Sequence, residues 1–79
     1  MFSRQIECIR AREVNSRIEQ LGGIQFRQRG SHRFYRVTAA NGDTATTVIP
    51  QYTGNVNLGT LHSIERSLEP VLGKGWLAK

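Results

Sequence analysis

The chain has 79 residues and a net charge of +5, and nine of its eleven basic residues are arginines. This length predicts one small domain over residues 1–79 with a thin hydrophobic core, and the arginine excess favours a polyanionic partner, either nucleic acid or an acidic protein surface. A single cysteine excludes an intrachain disulfide and a structural zinc site built on cysteines.

Residues 1–9 mix apolar with polar or charged side chains and contain no continuous apolar run, which predicts neither a signal peptide nor a membrane span. Their apolar residues fit neither the helical nor the strand period, so a short strand and a loose N-terminal extension both stay open. Cys8 has no activating neighbour and receives no chemical role. We expect a cytoplasmic location, where thiols stay reduced.

The first regular element is a predicted helix over about residues 10–21. Val14, Ile18 and Leu21 recur at i, i+4 and i+7 and therefore share one face of a helix. The following Gly22-Gly23 pair tolerates the left-handed backbone conformation in which many helices end.

Three predicted strands follow, over residues 24–29, 32–40 and 44–49. Gly30-Ser31 breaks the first pattern and predicts a tight turn, so His32 lies where one strand turns into the next. Asn41-Gly42 is the strongest short-range signal for a two-residue hairpin turn.

A turn with Asn41 and Gly42 at its centre implies a definite pairing between the second and third strands. The pairs on one face are Tyr35–Val48 and Val37–Thr46, and those on the other face are Phe34–Ile49 and Arg36–Thr47. We expect the face of Tyr35 and Val37 to meet the helices, because the other face carries His32 and Arg36.

A second amphipathic helix is predicted from about Leu58 to Glu69, with Asn57 as its N-cap. Pro70 lacks a backbone N–H, so we expect a break there and a short tail in which Trp76 covers the edge of the core. One helix, three strands and a helix predict an α+β two-layer sandwich, α-β-β-β-α, with both helices on one face of the sheet.

The stretch from Phe26 to Arg36 places four arginines and three aromatic residues around one histidine, without an acidic residue. Histidine exchanges protons near neutral pH, and the planar guanidinium of arginine matches phosphate oxygens. We therefore interpret His32 as a general base for RNA cleavage, with Arg29, Arg33 or Arg36 stabilising charge on the phosphate. The alternative is a hairpin histidine that only caps backbone groups, within a solvated arginine face.

Three local motifs, which together span about residues 10–68, carry a resemblance to a known family. The motifs are Ala11-Arg12-Glu13-Val14 leading to Leu21-Gly22, then Arg27-Gln28-Arg29-Gly30-Ser31-His32, and finally Ile49-Pro50 followed by Gly59-Thr60-Leu61-His62-Ser63-Ile64. They resemble the HicA-type toxins of bacterial toxin–antitoxin pairs. The resemblance implies a HicA-like core over residues 10–72, a fold like a double-stranded-RNA-binding domain, ribonuclease activity against mRNA, His32 as the essential histidine, and inhibition by a HicB-type antitoxin.

The chain also departs from the family pattern. Gln51 and Tyr52 stand where the family often has a further histidine, His62 stands where arginine is usual, and the Glu69-Pro70 ending is unusual. These departures bear on catalytic detail rather than on the fold.

The candidate site therefore combines one catalytic residue, His32, with a set of RNA-binding residues: Arg27, Arg29, Ser31, Arg33, Phe34 and Arg36. Cleavage by the RNA's own 2′-hydroxyl needs neither a metal nor another cofactor. Two other functions remain open: a non-catalytic RNA-binding module and a protein-interaction domain whose basic face binds an acidic partner. In the leading interpretation the protein forms a hetero-oligomer with its antitoxin.

Overall fold

The computed structural model describes residues 9–51 and 54–78, and its elements follow the predicted order. They are α1 (Ala11–Gln20), β1 (Ile24–Arg29), β2 (His32–Thr38), β3 (Thr44–Pro50), α2 (Leu58–Leu72) and a short closing 3₁₀ helix (Trp76–Ala78). The strands form one antiparallel sheet in the order β1-β2-β3. The predicted α+β class is confirmed.

Both helices pack against the same face of the sheet, which we call the inner face. Val14 and Ile18 of α1 meet the buried leucines and isoleucine of α2 over Tyr35 and Val37 of β2. The prediction that Tyr35 and Val37 point toward the helices is therefore confirmed. The opposite face, called the outer face below, carries exposed and half-buried side chains.

The end of α1 shows how the predicted glycine stop works. Gly22 has a φ of 95°, and its N–H donates to Glu19 O at 3.1 Å while Gly23 N–H donates to Ile18 O at 2.8 Å. This is a Schellman motif, which satisfies carbonyl groups of the last helical turn. A Cβ at Gly23 would lie 2.2 Å from Ile18 Cγ2, so the chain also needs glycine there for close packing.

The predicted pairing of β2 with β3 is wrong by one residue. Tyr35 pairs with Thr47, and Phe34 pairs with Val48. The hairpin closes with the Ala39 N–H donating to Asp43 O at 2.7 Å, so its loop holds three residues instead of two, with Gly42 at a φ of 94°. Because side chains alternate along a strand, this shift moves every residue of β3 to the opposite face from the one predicted.

The prediction that the second helix breaks at Pro70 is also wrong, because α2 continues to Leu72. Proline lacks an N–H and its ring crowds the preceding turn, but here it stands in the last turn, where little of the helix follows it. Val71 and Leu72 pack against the core, and Gly73 N–H donates to Glu69 O at 2.8 Å, which together hold this turn in place. The Asn57 cap is confirmed, since its side chain accepts from Gly59 N–H at 2.8 Å.

The described residues just before and just after the sandwich pack against it. Trp76 is buried, and its indole Nε1 donates to Glu65 O at 2.7 Å, so it covers the edge of the core as predicted. Of residues 1–9 the structure describes Ile9 alone, which is buried and accepts from Val56 N–H at 2.7 Å. The strand-or-extension question for residues 1–8, and Cys8 itself, lie outside the described residues. Within the described ranges, no helix is long and apolar enough to cross a membrane.

Candidate nucleic-acid interface

The β1–β2 hairpin places His32 at the start of the central strand, as predicted. Gly30, with a φ of 56°, and Ser31 form the two-residue turn, and Arg29 pairs with His32 across it. Ser31 O accepts a hydrogen bond from the backbone N–H of Gln51, just beyond β3. The turn is therefore tied to the rest of the sheet, which holds His32 in a defined position.

His32 lies on the outer face of the sheet, away from the helices. Tyr35 and Val37 of the same strand are buried on the inner face, and strand alternation places His32, Phe34 and Arg36 on the other side. His32 is half-buried. The side chain is thus held by its neighbours and still reachable from solvent.

A β-bulge in β1 decides which side chains accompany His32. The pairing of β1 with β2 shifts by one residue at Phe26, after which Arg27 pairs with Phe34 and Arg29 pairs with His32. Without the extra residue, the regular alternation would turn Arg27 and Arg29 toward the inner face. The bulge therefore brings two further guanidinium groups to the outer face.

Four side chains near the bulge form what we call the outer cluster: Phe26, Arg27, Phe34 and Arg36. The rings of Phe26 and Phe34 meet edge to face, with centroids 6.2 Å apart and planes at 61°. The Arg36 Cζ lies 4.5 Å from the Phe26 ring centroid, and the Arg27 Cζ lies 5.7 Å from the Phe34 centroid. Each ring carries a guanidinium group at cation–π distance, which orders both side chains on an otherwise open surface.

Sequence reasoning assigned no site role to Phe26. Its signal was the loss of alternation after this residue, where Arg27, Gln28 and Arg29 are all polar. A strand whose period breaks in this way is a candidate for a bulge.

Arg33 is the predicted site residue that the structure separates from the others. It is half-buried on the inner side of the sheet, where its Nη1 lies 3.3 Å from the side-chain amide of Asn15. Its Nε is buried and has no hydrogen-bond partner among the residues that the structure describes. The geometry gives Arg33 an inner, supporting position, whereas Arg27, Arg29, Phe34 and Arg36 lie with His32. Ser31 is exposed at the turn beside them.

Gln51, which stands where the HicA pattern often has a further histidine, forms a structural link in this fold. Its side-chain amide pairs with the Asn15 amide of α1, with contacts of 2.8 and 3.1 Å, and also donates to Ile49 O at 3.0 Å. Together with its backbone bond to Ser31, this joins α1 to the hairpin that carries His32. Tyr52, the other departure, lies outside the described residues.

Tyr35 forms the second polar contact between the sheet and α1. Its hydroxyl donates to Glu19 Oε2 at 2.6 Å. Burial raises the pKa of Tyr35 above its usual value, the hydrogen bond to Glu19 raises it further, and a hydrogen bond with Arg33 acts in the opposite direction. The folded protein therefore keeps the phenolic proton at a pH where the unfolded chain loses it.

We expect Tyr35→Phe to change the alkaline stability profile. In the wild type, the free energy of unfolding falls as pH rises above about 10, because the unfolded state releases the Tyr35 proton first. The variant should lose about 1 kcal/mol near neutral pH through the missing hydrogen bond, and should then show a smaller decline above pH 10. Urea unfolding at a series of pH values measures both effects, and an equally steep alkaline decline in the variant would contradict this assignment.

The chain's second histidine lies elsewhere. His62 is exposed on α2, which packs on the inner face, so the sheet stands between it and His32. Among residues 9–51 and 54–78, no group of three or more His, Cys, Asp or Glu side chains could hold a metal ion. The chemistry that this surface can support is proton transfer by one imidazole beside several guanidinium groups.

Comparison with known proteins identified no relative of this chain. A scan of family models, a search of curated proteins and a search of solved structures found no match to this chain. The resemblance to HicA-type toxins therefore depends on the three local motifs and on the placement of their residues.

Proposed function

We propose that this protein is a metal-independent toxin endoribonuclease that cleaves mRNA in the cytoplasm, with His32 as general base, and that a HicB-type antitoxin neutralises it. The observation that carries the proposal is the position of His32 on the open outer face, directly opposite Arg29. The three strands contain four arginines and no acidic residue. A polyanion bound to this face would therefore contact an imidazole on a sheet whose charged residues are all positive.

The proposed reaction uses the RNA's own nucleophile. The imidazole of His32 removes the 2′-hydroxyl proton, and the 2′-oxygen attacks the adjacent phosphorus. The bond to the 5′-oxygen breaks, leaving a 2′,3′-cyclic phosphate on one product and a 5′-hydroxyl on the other. Water supplies the proton to the leaving oxygen in this scheme, since His62 lies across the sheet.

The arginines supply charge stabilisation. Arg29 pairs directly with His32 and is the best placed to contact the phosphate under attack, whereas Arg27 and Arg36 lie one and two steps further along the outer face. Guanidinium groups bind phosphate oxygens in a planar, two-bonded geometry. If these three arginines each contact one phosphate, the logarithm of the binding constant should fall with the logarithm of salt concentration at a slope of about −2.

Turnover tests the proposal against its two alternatives. The purified chain is mixed with a labelled single-stranded RNA, and the products are resolved and their ends identified. Shortened RNA ending in 2′,3′-cyclic phosphate supports the nuclease. Intact RNA that is protected from other nucleases identifies a binding module, and intact RNA without binding at low salt identifies a protein-interaction domain.

The antitoxin part of the proposal has its own test. Controlled expression in bacteria should arrest growth and deplete transcripts with the wild type but not with His32→Ala. Co-expression of the acidic protein encoded by a neighbouring reading frame should restore growth. Continued arrest despite a stable complex between the two proteins would contradict neutralisation by that partner.

A further inference from the structure

We propose that the outer cluster is a stacking platform for unpaired RNA bases, so that the substrate of the proposed nuclease is single-stranded. The inference depends on the proposed function for cleavage but concerns how RNA is held. It names Phe26 and Arg36 as the base-binding pair at the β-bulge. Double-stranded-RNA-binding domains, whose fold this chain is predicted to resemble, bind duplexes, so the inference concerns a different form of RNA.

The first argument is the exposure of stacking surfaces. Phe26 is 43% exposed, although it is a large aromatic residue with a helix-covered core on the other side of the sheet. Its ring and the Arg36 guanidinium are packed together at 4.5 Å. Aromatic rings and guanidinium planes are the two side-chain surfaces on which unstacked RNA bases lie.

The second argument is the effect of the bulge. A regular β1 would present Gln28 opposite His32 and would turn Arg27 and Arg29 to the inner face. The observed register instead sets Arg27 opposite Phe34 and Arg29 opposite His32. Bulges re-aim side chains in this way beside functional sites. The result is a surface on which aromatic rings and positive charges lie side by side.

The third argument is the distance from the platform to the proposed base. Phe34 and His32 are two residues apart on the same face of β2, a separation of about 7 Å along the strand. A nucleotide whose base stacks on the outer cluster would therefore place its sugar and phosphate toward His32 and Arg29. A duplex hides the faces of its bases within its own stack and could not use these rings.

The charge of the surface favours RNA over a protein as occupant. The four aromatic and basic side chains of the outer cluster lie on a sheet that holds no acidic residue in any strand. Single-stranded RNA provides a base that can stack and a negatively charged phosphate in every nucleotide, which matches this combination of rings and positive charges. We therefore infer an unpaired polynucleotide as the ligand.

The test measures binding to an oligonucleotide that cannot be cleaved. The probe is a short 2′-O-methyl oligonucleotide with one 2-aminopurine, whose fluorescence falls when the base stacks, and the same sequence is compared as a closed hairpin duplex. We expect the wild type to quench the probe and to prefer the single strand. Phe26→Leu and Phe34→Leu keep apolar side chains without the ring, and each should weaken binding by about 5- to 100-fold.

Leu58→Ala is the matched control, since Leu58 is an apolar residue of similar exposure, 49%, at the start of α2. It should bind the probe as the wild type does. Unchanged binding in both phenylalanine variants, or equal affinity for hairpin and single strand, would overturn the platform. Phenylalanine variants that lose antitoxin binding but keep RNA binding would also overturn it and identify a protein surface. Because the probe has no 2′-hydroxyl, a failure of cleavage alone would contradict the nuclease and leave this inference standing.

Discussion

Replacing His32 with alanine should lower the rate of the proposed RNA cleavage by about 10²- to 10⁴-fold, the usual contribution of a positioned general base. The variant still carries Arg27, Arg29 and Arg36 on the outer face, so its affinity for uncleavable RNA should change little. The measurement is the single-turnover rate with saturating protein, together with the Kd for a 2′-O-methyl oligonucleotide. Loss of rate without loss of binding separates proton transfer from simple RNA contact.

Two controls sharpen this result. His62→Ala removes the chain's other histidine, which is exposed on α2 behind the sheet, and should cleave at the wild-type rate. Added imidazole should restore part of the activity of His32→Ala, because a small base can enter the space that the side chain leaves. Equal cleavage by wild type and His32→Ala, or an equal loss in His62→Ala, would contradict the assignment of the base.

Ile49→Ala should destabilise the fold by about 2–5 kcal/mol, whereas Val48→Ala, one residue earlier, should cost less than about 1 kcal/mol. Ile49 is completely buried among the helices, while Val48 is 39% exposed on the outer face. A domain of this size has a total stability of about 4–12 kcal/mol. The Ile49 variant is therefore expected to lose a large fraction of the total stability.

Urea unfolding of the two variants measures this difference and tests the register of β3 directly. With Asn41-Gly42 as a two-residue turn, Val48 would lie opposite Tyr35 in the core and Ile49 would face outward. The order of the two effects would then be reversed. A larger loss for Val48→Ala than for Ile49→Ala would contradict the three-residue loop.

The position of His32 shows which features local sequence patterns can predict. Gly30-Ser31 interrupts two strand-like segments, and a short glycine turn between antiparallel strands needs little help from the rest of the chain. The predicted order of elements rests in the same way on signals within a few residues, such as the Asn57 cap and the Gly22-Gly23 stop. These features depend on neighbours in sequence, so they could be predicted.

The environment of His32 could not be predicted in this way. Whether Arg27 and Arg29 face the imidazole depends on the register of β1 against β2, and one extra residue in β1 reverses it. The bulge at Phe26 brings Arg27 and Arg29 to the outer face, and the three-residue loop at Gly42 exchanges Val48 for Ile49 in the core. Both shifts are selected by packing across the sheet; the polar run after Phe26 marks a candidate bulge, but it does not fix the pairing.

The amino-acid sequence alone determined the α-β-β-β-α order, the inward side of β2 and the turn that presents His32, because hydrophobic period and turn chemistry act over short distances. Only the tertiary structure decided that Gln51 links the hairpin to α1 through Asn15, that α2 passes Pro70 without a break, and that Phe26 joins Phe34 on the face that carries His32 and three arginines. Those outcomes depend on contacts between distant segments, where the burial of side chains outweighs local preference.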